Sequence, residues 1–455
     1  MKKNNKLSVW QILAIGYALV ILVGSLLLIL PIATKNGEKT SYINALLTAT
    51  SASCVTGLVT YDTATHWTLF GQITILALIQ IGGIGFMTFV SVGIALIKKN
   101  MGLYQRTVFM QTAGEANLIN FKPLLKRIII GTFIFEFSGC LILLIRFIPD
   151  YSLKGIYYAV FISISAFCNA GFDILGKNNA KFVSLAPYSK DPLVLLTVCL
   201  LILIGGVGFL VWNDISESKF KFSKYQLHTK MVLITNLILV SVSTVLFLLF
   251  DYNQPALNGY NFFQKLLVAF FNSITPRTAG FSIVDQCNLS ESSYVLTLIL
   301  MFIGGGSGST AGGVKVTTIA VVFFGLVAVF KNKEDIEIGN KRIHHSLFVK
   351  AVSVITSYLT LIVLSVILIA LFEKGNTFAN LKYITFDVVS ALGTVGCSAT
   401  VNGVTFTSLL SVGSKIVLTL LMFLGKAGIL TIALAFGNRT NVSEIKKPID
   451  NVIIG

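Results

Sequence analysis

The sequence predicts an all-α membrane protein built from four similar units. The chain of 455 residues is 55% hydrophobic and only 12% charged, about half the charged share of an average soluble protein. Several apolar runs approach the roughly 20 residues that a helix needs to cross a bilayer. Four related stretches of small and polar residues also recur between these runs at a nearly constant interval. A soluble multidomain protein is therefore excluded.

The four related stretches align on one glycine each. They are Ser51-Ala-Ser-Cys-Val-Thr-Gly-Leu58, Ser165-Ala-Phe-Cys-Asn-Ala-Gly-Phe172, Ile274-Thr-Pro-Arg-Thr-Ala-Gly-Phe281 and Ser390-Ala-Leu-Gly-Thr-Val-Gly-Cys397. The aligned glycines, Gly57, Gly171, Gly280 and Gly396, are 114, 109 and 116 residues apart. Such a period indicates an internal repeat. Four copies in one membrane chain predict a pseudo-fourfold arrangement around one pore.

Each repeat is predicted to contain a span, a half-helix too short to cross, a loop and a second span. The first spans are Leu7–Ile32, Leu124–Ile148, Met231–Phe250 and Leu347–Phe372. The half-helices are Tyr42–Cys54, Ile156–Phe167, Phe262–Ile274 and Leu381–Leu392. The second spans are Thr68–Ile97, Pro192–Trp212, Tyr294–Phe330 and Leu409–Phe436. The repeats then occupy 1–110, 111–225, 226–340 and 341–455, and the last includes the C-terminal tail.

The basic residues predict the orientation. The predicted loops 1–7, 98–127, 212–230, 331–350 and 437–455 hold 21 of the 35 lysines and arginines. Because positive loops stay in the cytoplasm, we expect eight spans with both termini cytoplasmic. The net charge of +16 then reflects membrane topology, and no nucleic-acid partner is expected.

The four loops are the predicted cation site. Rings of backbone carbonyls replace the water shell of a potassium ion in selectivity filters, and glycine adopts the required backbone angles without a Cβ clash. The hydroxyls of Thr56, Thr278 and Thr394 add oxygens near the ring, and the carboxyl ends of the half-helices favour a cation. The alternative is four ordinary polar turns. The candidate filter loops are Val55-Thr56-Gly57, Asn169-Ala170-Gly171, Thr278-Ala279-Gly280 and Thr394-Val395-Gly396.

Each second span also carries a glycine cluster. The clusters are Ile81-Gly-Gly-Ile-Gly-Phe86, Ile204-Gly-Gly-Val-Gly-Phe209, Ile303-Gly-Gly-Gly-Ser-Gly308 and Leu424-Gly-Lys-Ala-Gly-Ile429. In the first two we expect close helix packing. The third lies in the run Gly304, Gly305, Gly306, Ser307, Gly308, Ser309, Thr310, Ala311, Gly312 and Gly313, called the gating loop below. Its glycines weaken a helix, which predicts either an unwound gate beneath the filter or a static kink.

Four charged residues fall in or beside the apolar segments, where an unpaired charge is costly. Lys426 is expected near the axis beneath the filter, where it repels an ion or hydrogen-bonds the gating loop. Lys315 is expected to extend to the cytoplasm, Arg277 to lie at the outer mouth, and Glu136 to pair with a neighbouring span. A phosphate-binding loop at 308–315 is rejected because Gly-Lys-Ser/Thr and a parallel-sheet pattern are missing.

The four filter glycines and the stretch Gly304-Gly-Gly-Ser-Gly-Ser-Thr-Ala-Gly-Gly-Val-Lys315 resemble the Trk/Ktr/HKT superfamily of potassium transporters. The chain begins with repeat one and is most similar to the Ktr membrane subunit. This resemblance implies a homodimer in the bacterial plasma membrane with one pore per subunit. It implies potassium uptake, sodium-dependent in many members, under a cytosolic nucleotide-binding ring of RCK type.

Two departures from the family pattern bear on this expectation. Lys426 stands where the family usually has arginine, which bears on the strength of the barrier beneath the filter. The loops are not Thr-Val-Gly-Tyr-Gly, so the preference for potassium over sodium is expected to be modest. Gly57, where sodium-selective plant relatives often have serine, favours potassium. The ligands are then K⁺ and Na⁺, with no organic cofactor in this chain and membrane lipid around it.

Three alternatives remain at the level of sequence. One is a less selective potassium/sodium transporter. Another is a secondary transporter of a different small cation, for which two inverted repeats would be expected. The third, a membrane-embedded enzyme, is disfavoured because the predicted spans contain no cluster of His, Asp or Glu.

Overall fold

The computed structural model describes residues 9–37, 39–85, 121–177, 180–285, 289–333 and 335–429. The predicted loops 1–7 and 437–455, and most of 98–127, lie outside these residues. So do the far ends of the second spans of repeats one and four. Within the described ranges the chain is mainly helical, with two short hairpins, Ile336–Ile338 with Lys341–Ile343 and Thr400–Val401 with Val404–Thr405, which the sequence did not predict.

The first helix of each repeat is uninterrupted and long and apolar enough to cross a membrane. These helices are Val9–Leu28, Phe121–Tyr151, Leu227–Asp251 and His345–Phe372. Their outer faces leave large apolar side chains uncovered, such as Phe137 at 66% and Leu237 at 69% exposure. Faces of this kind suit hydrocarbon rather than water. The chain is a multi-pass membrane protein, as predicted.

The half-helices are present in all four repeats, within two residues of the predicted bounds. They are Tyr42–Ser53, Lys154–Phe167, Phe262–Ile274 and Leu381–Gly393. Capping side chains mark the N-terminus of two of these half-helices. Asn261 and Gln264 form a capping box, and the side chain of Asn380 accepts from the N–H of Lys382, which satisfies N–H groups that the first turn leaves unpaired. Each half-helix ends no more than four residues before its filter loop.

In each of the second spans a helix ends at the glycine cluster, which was predicted for repeat three only. The second spans run Leu69–Ile84, Pro192–Val207 then Phe209–Glu217, Glu291–Phe302 then Val316–Phe330, and Val412–Ala427. Gly85, Gly208 and Gly428 have φ of 90°, 110° and 84°, a region that residues with a side chain rarely adopt. The helix turns by 88° at Gly208. Four spans are uninterrupted in the described ranges, and the count of eight crossings stays a prediction.

The close packing expected of the glycine clusters is confirmed at their second position. A methyl group on Gly82 would lie 2.0 Å from the carbonyl oxygen of Ser53, and one on Gly205 would lie 2.0 Å from that of Phe167. Gly425 has the same relation to Leu392, at 2.1 Å. Each of these glycines therefore lets a second span contact the end of its own repeat's half-helix.

The repeats pack in a closed circuit. The second span of each repeat contacts the half-helix of the next repeat, and Val412–Ala427 of repeat four returns to Tyr42–Ser53 of repeat one. Buried side chains of repeats one, two and three form one apolar core, and those of repeat four form a second core with repeats one and three. The four filter loops are consequently held at one centre by helices on all sides.

Candidate functional site

The four filter loops share one backbone conformation. The residue two before each glycine is left-handed, with φ of 55° at Val55, 60° at Asn169, 67° at Thr278 and 53° at Thr394. The glycines follow with φ of 101°, 69°, 76° and 95° at Gly57, Gly171, Gly280 and Gly396. A non-glycine residue with positive φ is uncommon. Its recurrence at the same place in four loops indicates a common architecture.

Backbone N–H groups of the loops point back to the half-helices. The residue before each glycine donates to a carbonyl in the last turn: Thr56 to Ser51 at 2.7 Å, Ala170 to Ser165 at 2.8 Å, Ala279 to Thr275 at 3.0 Å and Val395 to Ser390 at 2.8 Å. In the ranges that the structure describes, no N–H or O–H group donates to the carbonyls of 55–57, 169–171, 278–280 or 394–396. These carbonyls are therefore available to a cation.

The four glycines are neighbours in cyclic order. A methyl group added to Gly57 would lie 2.6 Å from the carbonyl oxygen of Ala170, and one on Gly171 would lie 2.8 Å from that of Ala279. A methyl group on Gly280 would lie 2.6 Å from the carbonyl oxygen of Val395, and one on Gly396 would lie 2.0 Å from that of Thr56. The carbonyl before each glycine thus abuts the glycine of the preceding repeat. The ring closes from the fourth repeat to the first and has no room for side chains.

Four buried hydroxyl groups that were not among the predicted site residues support the loops. Ser51 and Ser390 accept from the N–H groups of Gly57 and Gly396 at 2.9 and 3.0 Å. Ser165 donates to the carbonyl of Phe172 at 2.7 Å, and Thr275 donates to that of Phe281. All four residues are fully buried. The signal was present, because a serine stands six residues before the glycine in three of the four stretches.

The three threonines expected to add oxygens differ in their surroundings. The hydroxyls of Thr56 and Thr394 are buried and have no hydrogen-bond partner in the described part of the chain. The hydroxyl of Thr278 lies 3.3 Å from the side-chain amide of Asn169. Thr56 and Thr394 are therefore open to a ligand, whereas the side chain of Thr278 joins two neighbouring loops.

The gating loop lies against the half-helix side of this ring. It is non-helical between Phe302 and Val316, as its glycine content predicted. A methyl group on Gly312 would lie 2.0 Å from the hydroxyl oxygen of Thr394, and one on Gly313 would lie 3.3 Å from the carbonyl of Gly393. The loop therefore contacts the residues that lead into the fourth filter loop.

The gating loop is bonded to the break in the second span of repeat two. Gly306 donates to the carbonyl of Gly206 at 2.8 Å, and Thr310 donates to that of Gly205 at 3.3 Å. In return, the N–H of Phe209 donates to the carbonyl of Gly308 at 2.8 Å. Because a helix that ends leaves carbonyl groups unpaired, the break at Gly208 supplies the acceptors that hold the loop.

Three cations converge on carbonyl oxygens of the gating loop. Lys426 donates to Thr310 at 2.6 Å, which is the hydrogen-bonded alternative left open by the sequence. Lys315 does not extend to the cytoplasm as expected, but donates to Ala311 at 2.6 Å, because the unwound backbone offers a nearer acceptor. Arg277 is likewise not at the outer mouth. It is buried, and it donates to Asn236 and to Gly304, at 3.5 Å for the latter.

Glu136 pairs with a neighbouring span, as predicted. Its carboxylate accepts from the side-chain amide of Gln80 at 3.0 and 3.2 Å. The thiol of Cys168, the residue before the second filter loop, lies 3.8 Å from the same carboxylate. This buried acid therefore links two repeats directly behind the ring.

Two acids that no sequence pattern had indicated, Asp62 and Asp173, follow the first and second filter loops and interact electrostatically. Asp173 follows Gly171 by two residues, and Asp62 accepts from the N–H of Phe182 at 2.9 Å. Burial, and secondly the carboxylate of Asp62, raise the pKa of Asp173 to about 7. The charge of Asp173 therefore changes near neutral pH.

The chain is similar to known cation transport proteins over almost its whole length. Residues 16–444 match the family described as TrkH, cation transport protein. The potassium/sodium uptake protein NtpJ of Enterococcus hirae is 36% identical over 100% of this chain and 99% of its own length. The Ktr system potassium uptake protein B of Bacillus subtilis is 36% identical over 98% of this chain and 96% of its own. The protein of that name in Vibrio alginolyticus is 34% identical over 98% and 94%.

A solved structure has the same fold. The crystal structure of the potassium transporter TrkH from Vibrio parahaemolyticus superposes with a TM-score of 0.73, covering 96% of this chain and 86% of that one. The two sequences are only 17% identical. The predicted helical membrane fold is thereby confirmed.

Proposed function

The chain belongs to the TrkH family of cation transport proteins, as its motifs predicted, and we propose that it takes up potassium through a filter made by its four glycine loops. Because the family transports ions, the chain is a transporter and not an enzyme. The proposed ligands are the carbonyl oxygens of the four filter loops, which bind K⁺, with the hydroxyls of Thr56 and Thr394 beside them.

The observation that carries the proposal is the closed ring of glycines. Twelve loop carbonyls have no internal donor in the described residues, while the adjacent N–H groups are bonded outward to the half-helices. Carbonyl oxygens in such a ring compensate an ion for its lost water. The carboxyl ends of four half-helices face the same centre and add partial negative charge. An anion finds no comparable ligand there.

The gating loop 304–313 is proposed to obstruct the pathway below the filter. Its backbone contacts Thr394 and is bonded to the carbonyl of Gly206, next to the break at Gly208, so it occupies the half-helix side of the ring. The Lys426 ammonium group adds a positive charge to the same place. A passing K⁺ therefore requires that the loop move aside, and opening requires loss of the contact between Lys426 and Thr310.

The proposed setting follows the relatives. Ktr system proteins B are potassium uptake proteins by name and match almost the whole chain. We place this chain in a bacterial plasma membrane as a homodimer, with both termini cytoplasmic and the repeats bounded at 1–110, 111–225, 226–340 and 341–455. A cytosolic nucleotide-binding ring of RCK type is the proposed regulator, and the chain itself uses no organic cofactor.

A second candidate is a less selective potassium/sodium transporter. The relative NtpJ, 36% identical over the whole chain, is a potassium/sodium uptake protein. The filter loops here also have one carbonyl-rich turn each, not the longer Thr-Val-Gly-Tyr-Gly sequence. Sodium then either permeates or promotes potassium uptake. A secondary transporter built from inverted repeats is disfavoured, because the four repeats have the same element order.

Growth complementation tests the proposal. The chain is expressed in a bacterium that lacks its own potassium uptake systems, with and without an RCK-type ring partner, at limiting potassium. We expect growth at low potassium, and we expect both the ring partner and added sodium to enhance it. Expression in the membrane without any rescue, or rescue that is indifferent to potassium concentration, would overturn the assignment.

A further inference from the structure

A groove of about 590 Å³ opens beside the break at Gly208. Its apolar walls come from the first span of repeat two, the second span of repeat two and the first span of repeat three, including Ile134, Phe135, Trp212 and Leu233. One wall continues onto an open apolar face, where Ile134 is 58% exposed. Because that face belongs to a membrane-crossing helix, an acyl chain enters the groove from the bilayer.

The groove ends at the level of a helix that runs across the membrane spans. The segment Phe209–Glu217 turns by 88° from the preceding helix. The exposed side chains of Phe220 and Phe222, at 80% and 51%, follow it, and they alternate with Lys219, Lys221 and Lys224 in the sequence. Aromatic and basic side chains together are typical of the interface between hydrocarbon and headgroups. This segment therefore marks the headgroup level.

The charge at the mouth of the groove is positive. Lys126 lines the mouth and makes no hydrogen bond or ion pair with any residue that the structure describes. Its neighbour Arg127 is held by Glu217 at 2.8 Å and by Asn213. Among the cations that line the groove in the described residues, Lys126 is thus the one free to meet a ligand, and Lys219 and Lys221 flank the groove residue Phe220 in the sequence.

We propose that this groove binds one anionic phospholipid, with an acyl chain along its apolar walls and its phosphate at Lys126. A zwitterionic lipid fills the same apolar volume but gains less from the surrounding lysines, so the negative headgroup decides the preference. The inference concerns lipid binding and holds whatever cation the protein transports.

The position of the groove relates it to the gating loop. Its wall residue Val207 has a carbonyl oxygen that would lie 2.1 Å from a methyl group on Gly306. A bound acyl chain therefore packs on the outside of the helix end whose inside holds the gating loop. Lipid composition acts at this point without entering the ion pathway.

Fluorescence quenching of Trp212 tests the proposal, because this residue lines the groove. The full chain is reconstituted in phosphatidylcholine bilayers with increasing fractions of phosphatidylglycerol carrying brominated acyl chains. The signal of Trp212 is the difference between wild type and Trp212→Phe. We expect half-maximal quenching at a mole fraction several-fold lower for brominated phosphatidylglycerol than for brominated phosphatidylcholine.

Three substitutions separate the groove from general membrane charge. Lys126→Ala should raise the half-maximal fraction of phosphatidylglycerol about fivefold, since one lysine near a bilayer is worth about 1 kcal/mol, and Lys126→Arg should restore it. Lys350→Ala, an exposed lysine of repeat four, should change nothing. Equal quenching by the two lipids, or no quenching by either because protein fills the groove, would overturn the proposal.

Discussion

At the scale of single residues, the four filter glycines meet two requirements: a positive φ and a position with no space for a side chain. Gly57 has a φ of 101°, and a methyl group on it would also contact the next loop. Gly375 has a nearly identical φ of 98°, but nothing lies within 4 Å of such a methyl group. The backbone conformation of Gly57 is therefore also found at Gly375, whereas the lack of space for a side chain distinguishes Gly57 from Gly375. Gly375 provides the matched control for a filter substitution.

Lys426 is predicted to hold the gating loop closed. In Lys426→Met the hydrogen bond to Thr310 is lost, and a bond from a charged donor contributes about 1.5–3 kcal/mol. Rubidium flux into proteoliposomes should rise several-fold, and Lys426→Arg should stay near wild type. Lys415→Met removes a lysine from the same helix that instead donates to Ser408, and it should leave flux unchanged. A Lys426→Met protein that folds but conducts no faster would exclude the restraint.

Asp173 is predicted to make uptake sensitive to external pH. Its pKa is raised to about 7, so the carboxyl group is neutral below that pH and negatively charged above it. A negative charge beside the ring attracts cations, so the half-saturating potassium concentration should rise several-fold as the external pH falls from about 8 to about 6. Asp173→Asn should abolish this dependence. Asp335→Asn, at an exposed hairpin, should retain it, and an unchanged profile in Asp173→Asn would contradict the assignment.

Residue roles were predictable where the repeat made them visible. The filter glycines were identified because the same residue recurs at the equivalent position of all four repeats. Lys426 was identified because the other three repeats have glycine at its position. Arg277 was misplaced because it has no counterpart in the other loops, so neither spacing nor symmetry indicated that it would fold back to Asn236. The serines at 51, 165 and 390 were visible in the alignment, but their role depends on which way a hydroxyl points.

At the scale of secondary structure, the main difference from expectation is the 88° break in the second span of repeat two. Hydropathy favours a continuous span through Pro192–Trp212, because glycine is apolar enough to belong to it. A helix break depends on whether the carbonyl groups it frees find donors. Here Gly306 and Thr310 of the gating loop supply them, and these donors are about a hundred residues away in the sequence. Local sequence could not indicate that compensation.

Deletion of Ser307–Ala311 tests the gating loop as an element. The shortened segment still connects Phe302 to Val316, but it loses the bonds from Thr310 to Gly205 and from Lys426 to Thr310. Rubidium flux should rise several-fold over wild type. A static kink predicts equal or lower flux, and circular dichroism distinguishes that result from a protein that has failed to fold.

At the scale of the whole molecule, the account depends on four repeats of one chain closing around a centre. The sequence predicted this from the even spacing of Gly57, Gly171, Gly280 and Gly396. The structure adds the contacts from which closure is built: each second span lies on the half-helix of the next repeat. Assembly with a second copy or with a regulatory ring has no such internal signature, because those contacts lie outside a single chain.

The most direct test compares ion preference in three single variants reconstituted into liposomes. The measured quantity is the ratio of potassium to sodium flux for Gly57→Ser, Gly396→Ser and the control Gly375→Ser. We predict that the two filter variants lower this ratio several-fold, because their side chains displace the carbonyls of Ala170 and Thr56, while Gly375→Ser keeps the wild-type ratio. An unchanged ratio in both filter variants, in protein that still conducts, would contradict the central claim.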